Sequence, residues 1–246
     1  MVLFVWGTQY IPTENLKYGV YTDTTATQIG LVNGDKILSV DGDKVEKFSD
    51  IQLKILLEDA QEIEVERKGR KTSIQVPQGT VAEMIKNQKS FMEPALLPII
   101  EVVSSGSNAE KAGLQKGDQI VGINQTKTPF FQDVVKYLKS HKNETVSVTI
   151  LRNNKNIDVS AEVSDQGTLG FAITPMDEQL EFATQKYGLL ESIPAGVNKA
   201  YSSFDNYIKQ MKLMFKPETE AYKSLGGFLT IGKAFSPTWD WERFWN

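Results

Sequence analysis

Two stretches of the chain share one pattern: residues 30–42 (GLVNGDKILSVDG) and residues 113–125 (GLQKGDQIVGINQ). Each has a Gly-Leu pair, a Gly-Asp turn and a short apolar run, and the second follows the first by 83 residues. The same offset relates Phe48 to Phe131. Solenoid repeats span about 20 to 45 residues, so this period is too long for one. The sequence therefore predicts two copies of one small domain.

The sequence around these stretches predicts the same elements in each copy. After the apolar run, a polar turn leads into an amphipathic helix near residues 49–59 or 131–140, with apolar residues at helical spacing. Two alternating strands then close each unit, for example around Ile63 and Ile74 in the first copy. This order predicts a mixed unit that is mainly β with α.

Composition excludes several kinds of chemistry. The 246 residues carry a net charge of −4, which argues against nucleic acid as the main partner. The chain has no cysteine, which excludes disulfides, thiol nucleophiles and Cys-ligated zinc. Its one histidine, His141, falls in a predicted turn and cannot form a two-histidine metal site or a credible Ser-His-Asp triad. We therefore predict no catalytic residue and no metal ligand in this chain.

The repeated pattern resembles the PDZ domain in its circularly permuted, bacterial form. The second copy matches that pattern at Ala112, Gly113, Leu114, Gly117, Asp118, Ile120 and Asn124. It departs at Gln125, where glycine is usual, and the first copy departs at Ile29, where alanine is usual. The resemblance implies two PDZ-like β-sandwich or barrel domains followed by a C-terminal helical segment. We expect the first domain at residues 1–97, the second at 98–180, and the helical, membrane-proximal segment at 181–246.

PDZ domains bind an extended peptide as an added strand, and a loop of backbone N–H groups holds its terminal carboxylate. Residues 167–173 (GTLGFAI) resemble that loop, and a helix at 131–140 would form the other side of the groove. The predicted peptide-binding residues are Gly167, Leu169, Gly170, Phe171, Ile173, Val134, Val135 and Leu138. The alternative is a turn and a core strand that bind nothing. Residues 91–94 of the first copy contain no glycine, so we expect that loop to be degraded or repurposed.

Tandem permuted PDZ domains between Trp-bearing ends resemble the periplasmic region of the RseP-type site-2 proteases, which are intramembrane zinc metalloproteases. Residues 187–195 (YGLLESIPA) are similar to that family's segment after the second PDZ domain, and residues 225–231 (LGGFLTI) to its segment before the last membrane helices. The ending at 237–241 (PTWDW) is similar to Bacteroidetes-type members. The resemblance implies zinc in the parent protein. The family's H-E-x-x-H and L-D-G motifs do not occur here, so we expect this chain alone to be inactive and without a cofactor.

A further amphipathic pattern runs from residue 189 to residue 215, with apolar residues every three or four positions and lysines between them. Such a helix can lie in a membrane interface, or it can pack on the second PDZ domain or on a partner chain. The family match favours a membrane-proximal position. All four tryptophans lie in the first and last few residues, where membrane proximity and ordinary core packing remain open alternatives.

The resemblance implies a substrate-gating or peptide-binding module at the periplasmic face of the bacterial inner membrane, acting in regulated intramembrane proteolysis. The implied substrates are anti-sigma factors or remnant signal peptides. The expected partners are C-termini or extracytoplasmic parts of membrane proteins and the parent's membrane helices. A size filter would need no carboxylate binding.

The alternative from another class is a free-standing PDZ scaffold of a secretion or envelope system. A third alternative is the PDZ arm of an HtrA-type serine protease. The sequence argues against it, because that type lacks the C-terminal segment found here.

Overall fold

The computed structural model describes residues 7–87 and 90–215 of the chain. These ranges contain thirteen strands and seven α-helices, so the predicted mixed α/β class is confirmed. The strands form five open sheets, and none of the sheets in the described ranges closes into a barrel. The tryptophans and the motifs near residues 225–241 lie outside the described residues.

The first copy of the repeat combines two small sheets with one long helix. Its elements are β2 (Val20–Thr22), α1 (Thr24–Gln28), β3 (Lys36–Val40), α2 (Phe48–Glu58), β4 (Glu62–Arg67), β5 (Arg70–Gln75), α3 (Thr80–Asn87) and β6 (Met92–Pro94). Strands β3, β4 and β5 form an antiparallel sheet, and β2 pairs with β6.

The second copy repeats this arrangement, with one additional short strand. Its elements are β7 (Ile100–Val103), α4 (Asn108–Lys111), β8 (Gln119–Ile123), β9 (Thr126–Lys127), α5 (Phe131–Ser140), β10 (Thr145–Arg152), β11 (Lys155–Glu162) and β12 (Phe171–Ile173). The larger sheet has the order β11-β10-β8-β9, and β7 pairs with β12. Helix α5 occupies the range predicted from its apolar spacing, and α2 begins and ends one residue earlier than predicted.

The buried apolar side chains form two separate cores, one in each copy. The first includes Ile51 and Ile63, and the second includes Ile120 and Val148. Leu180 follows the second copy in sequence but is buried in the first core. The chain therefore returns to the first copy after it has completed the second.

The two ends of the repeat region are paired with each other. Strand β1 (Thr8–Tyr10) pairs antiparallel with β13 (Ala183–Gln185). A 3-10 turn (Thr13–Asn15) follows β1, and a short helix, α6 (Met176–Gln179), precedes β13. This pairing holds the start and the end of the tandem side by side.

A buried aspartate and an arginine form the same ion pair in each copy. In the first copy Asp35 is 1% exposed and accepts two hydrogen bonds from Arg67, of 2.8 Å at Nε and 2.7 Å at Nη2. Arg67 Nη2 also donates to the carbonyl of Gly30 at 2.7 Å, and the N–H of Val32 donates to Asp35 at 2.9 Å. The hydrogen bond from Asp35 raises the pKa of the Arg67 guanidinium above its ordinary value.

The second copy reproduces this ion pair at the equivalent positions. Arg152 donates to both carboxylate oxygens of Asp118 at 2.6 Å, and to the carbonyl of Gly113 at 2.8 Å. The N–H of Gln115 donates to Asp118 at 2.8 Å. Bidentate Arg–carboxylate pairs fix geometry as well as charge. Each pair therefore joins the Gly-Asp turn to the strand that carries the arginine.

The amphipathic pattern predicted after the repeats forms helix α7 (Ser192–Met214). Its polar side faces α2 across a cavity of about 790 Å³ that Asn198 and Ser202 help to line. Lys209 reaches Glu58 of α2 at 3.3 Å. The apolar residues of α7 consequently point away from both cores. No helix in the described residues has the length and apolar character needed to cross a bilayer.

We expect Asp118→Ala to destabilise the protein by about 3 kcal/mol, because it leaves Arg152 without its buried partner. Urea unfolding followed by circular dichroism measures this change, and Asp35→Ala should act similarly on the first copy. The matched control is Lys44→Ala, which removes an exposed ion pair with Glu14 at 3.0 Å and should hardly change stability. Equal unfolding midpoints for Asp118→Ala and Lys44→Ala would contradict the assigned role.

Candidate peptide-binding site

The loop between β11 and β12 depends on two glycines with positive φ. Gly167 has φ +74°, and a Cβ there would lie 2.9 Å from the Cα of Lys139 at the end of α5. Gly170 has φ +87°, and a Cβ there would lie 2.5 Å from the Cβ of Ser107. Both contacts are too short for any side chain, so only glycine lets the loop pack so closely against α5 and α4.

Two consecutive backbone N–H groups of this loop have no acceptor among the described residues: those of Leu169 and Gly170. Their carbonyls are engaged, since Ala109 N donates to Leu169 O at 2.7 Å and Ser104 N donates to Gly170 O at 3.0 Å. The Leu169 side chain is buried in the second core, which anchors the loop. Successive N–H groups in a tight turn can bind an anion such as a carboxylate.

Strand β12 offers a free edge directly after this loop. It pairs with β7 on one side, and the described residues place no strand on its other side. A strand edge without a partner can accept an extended peptide. Phe171 and Ile173 on this strand are half-buried.

The predicted helix residues occupy different environments. Val134 and Leu138 are buried in the second core together with Leu169, and Phe171 packs against that cluster. Val135 is half-buried and lines a cavity that faces the first copy.

Ile173, at the far end of β12, contacts the first core rather than the second. The eight predicted residues therefore lie on one loop, one strand and one helix, but they contact two cores.

The first copy has a helix where the second copy has the glycine loop. Helix α3 lies between β5 and β6, contacts α1 and α2, and buries Met84 in the first core. Asn87 donates to Thr25 Oγ1 of α1 at 2.6 Å, and Phe91 is fully buried. The apolar spacing of Val81, Met84 and Ile85 is a helical signal that the sequence analysis missed.

The short linker between the copies is held by side chains and backbone groups of the second copy and α6. The N–H of Phe131 donates to the carbonyl of Leu96 at 2.7 Å. The Gln179 side chain accepts from the N–H of Leu97 at 2.8 Å and donates to its carbonyl at 3.1 Å. These bonds satisfy the linker backbone and restrict the relative movement of the copies.

A side-chain hydrogen bond also joins the copies directly. Tyr21 Oη donates to Asp133 Oδ1 at 3.0 Å, and the other oxygen of Asp133 accepts from the N–H of Phe130 at 3.2 Å. The Tyr21 and Phe130 rings meet edge to face at 6.3 Å. Burial, together with the charge of Asp133, raises the pKa of Tyr21 to about 12. No sequence motif marks Tyr21, so the sequence analysis missed this contact.

His141 has a local structural role at the end of α5. Its Nδ1 lies 2.9 Å from the carbonyl of Tyr137, and the two rings stack at 4.1 Å. Across the part of the chain that the structure describes, no cluster of three or more His, Asp or Glu side chains could hold a metal ion.

Comparison with known proteins gives a family match within the second copy. Residues 99–152 match the PDZ domain family. The chain is 36% identical over 113 residues to the regulator of sigma E protease of Haemophilus influenzae, covering 44% of this chain and 25% of that protein. It is 27% identical over 149 residues to a putative zinc metalloprotease of Vibrio cholerae, covering 56% of this chain and 32% of that protein.

One solved structure among those similar to the chain is the PDZ domain of the SdrC-like protein of Listeria innocua. It is 24% identical, covers 31% of this chain and 91% of that domain, and has a TM-score of 0.28.

The sequence matches confirm the resemblance to PDZ domains and to RseP-type proteases. The chain spans about a quarter to a third of the length of these two curated relatives. The Bacteroidetes assignment stays a prediction.

We expect the phenol of Tyr21 to ionise near pH 12, as measured by the difference in phenolate absorbance between wild type and Tyr21→Phe. The raised pKa means that its stabilising contribution is complete below about pH 10 and is lost as the pH rises toward 12. Asp133→Asn should lower this pKa, because it removes the nearby negative charge. Ionisation near pH 10 in the wild type would contradict the buried contact between the copies.

Proposed function

We propose that this chain, which contains a PDZ domain and is related in part to a regulator of sigma E protease, is the substrate-gating and peptide-binding part of an intramembrane zinc metalloprotease. The observation that carries the proposal is the second copy's glycine loop. Within residues 7–87 and 90–215, two consecutive N–H groups of this loop have no acceptor, and the strand edge that follows them has no partner.

The loop and the strand would bind a C-terminus in one orientation. The terminal carboxylate accepts from the N–H groups of Leu169 and Gly170, and the peptide continues antiparallel to β12 as an added strand. The last side chain of the peptide lies over Phe171, which is half-buried on the outer side of the second core. Backbone hydrogen bonds then provide affinity, while the apolar contact selects the terminal residue.

Hydrolysis belongs to the rest of the longer protein in this proposal. When bound there, zinc supplies Lewis-acid polarisation of the scissile carbonyl and activates water. Residues of this chain would select which membrane proteins reach that centre by binding a newly exposed C-terminus. Anti-sigma factors and remnant signal peptides at the periplasmic face of the inner membrane are the substrates we propose.

Helix α7 supports a position beside the membrane. A row of apolar side chains along it is strongly exposed, including Val197 at 64%, Tyr201 at 73% and Phe204 at 63%. Its polar side is already directed at α2, where Lys209 contacts Glu58 and also Asp205 of its own helix. A bilayer interface would cover such a row without any rearrangement of the polar contacts.

Binding of a peptide with a free C-terminus should exceed binding of its amidated form by about tenfold or more, because the amide cannot make the charge-assisted bonds. Isothermal calorimetry with both peptides measures this ratio. Gly167→Ala should weaken binding, since the new Cβ would meet the backbone at Lys139.

The matched control is Gly69→Ala in the first copy, which has an equivalent φ of +75° but open space around the new Cβ. Equal weak binding of the acid and amide peptides would favour a size filter over peptide capture. If Gly167→Ala and Gly69→Ala bound the peptide equally well, the glycine loop would not be part of the binding site.

We expect the protein to cosediment with phosphatidylethanolamine–phosphatidylglycerol vesicles and Phe204→Glu to reduce the bound fraction several-fold, because a charge on the apolar row opposes insertion. Gln210→Glu adds the same charge to α7 outside that row and should leave binding unchanged. If both variants reduced binding equally, general charge rather than the apolar row would be responsible.

A further inference from the structure

A cavity of about 730 Å³ lies between the two copies. One wall is formed by Phe131 and Val135 of α5, and the opposite wall by Tyr21 of β2 and Pro94 of β6. Met176, the first residue of α6, lines it as well. The cavity therefore needs both copies and exists only while they are held together.

Met176 connects the cavity to the path that a bound peptide would take beyond the end of β12. An added strand that begins with its carboxylate at Gly170 and runs antiparallel to β12 passes Ile173 and continues toward Met176. Strands advance about 3.4 Å per residue, so the peptide reaches Met176 about five residues before its C-terminus. Ile173 already contacts the first core, which confirms that this end of β12 faces the first copy.

The lining favours an uncharged, bulky side chain. Aromatic and aliphatic groups form much of the surface, and Leu96 adds to them. The charged residues at the cavity are two lysines of α5, Lys136 and Lys139, and two carboxylates of the first copy, Asp23 and Glu93. Because these charges are equal in number and opposite in sign, neither a cationic nor an anionic side chain gains a net advantage.

The walls are fixed before any ligand arrives. The Tyr21–Asp133 hydrogen bond, at 3.0 Å, holds one wall to the helix that forms the other. Gln132 donates to the carbonyl of Pro94 at 2.8 Å and tightens the same contact. A preformed cavity lowers the entropic cost of binding a side chain.

We propose that this cavity is a second subsite, which binds a large apolar side chain about five residues before the C-terminus of the same peptide. The inference rests on the proposed function, because it takes the position of the carboxylate from that proposal. The two copies then form one bipartite site: the second copy binds the C-terminus, and both copies together select an upstream aromatic or aliphatic residue.

The test uses fluorescence anisotropy with three free-acid peptides: a ten-residue peptide with Trp five residues before its last residue, the same peptide with Ser there, and its last four residues alone. We expect the Trp peptide to bind about tenfold more tightly than the Ser peptide, because the indole is buried in the cavity. Met176→Asp should abolish this difference, and the four-residue peptide should bind wild type and Met176→Asp equally.

Val135→Ser provides a second, milder change at the same cavity and should also reduce the preference for Trp. The matched control is Ile157→Asp on β11, which charges a part-exposed apolar residue of the second copy that does not line the cavity. It should preserve the preference. Equal binding of the Trp and Ser peptides to wild type would overturn the inference, as would a Met176→Asp variant that weakened the four-residue peptide as much as the long one.

The two proposals fail in different ways. If the amidated Trp peptide binds as well as the free acid, carboxylate capture and the proposed function fail. If the free acid is preferred but Trp brings no advantage over Ser, carboxylate capture stands and only the second subsite is lost.

Discussion

The buried ion pair between Asp118 and Arg152 organises the second copy, and through it the candidate site. The side chain of Asp118 joins the Gly-Asp turn to β10, while its backbone carbonyl accepts from the N–H of Ile100 on β7 at 2.8 Å. Strand β7 in turn pairs with β12, the strand whose free edge we assign to the peptide. The side-chain and backbone hydrogen bonds of Asp118 thus fix the position of both sheets. The first copy builds the same connection around Asp35, whose carbonyl accepts from Val20 at 2.9 Å.

The repeat and its local elements could be predicted because they leave periodic signals in the sequence. Helix α5 follows from apolar spacing, and the strands around it follow from alternation and turn residues. Contacts between elements leave no such signal. The return of Leu180 to the first core, the Tyr21–Asp133 bond and the exposure of Val135 to a cavity depend on how the copies pack, which no local pattern encodes. For α7 the pattern predicted an amphipathic helix but could not determine which side would face the protein.

The two copies differ at one connection, and the difference bears on the roles that we propose for them. Between its last two strands the second copy has a compact loop built on Gly167 and Gly170. The first copy has helix α3 at that connection, with Met84 filling its core. In our proposal the first copy contributes one wall of the cavity, whereas the second contributes the backbone groups that would bind the terminal carboxylate. A duplicated fold can support such a division, since each function needs only one copy of the relevant loop.

The pairing of β1 with β13 has a mechanical consequence. Thr8 lies opposite Gln185 and Tyr10 opposite Ala183, so the segments that precede Thr8 and follow Gln185 leave from the same end of this ribbon. Tension that pulls those two segments apart would break the backbone hydrogen bonds of the ribbon one at a time rather than all together. The ribbon would yield at low force while the two cores remain folded.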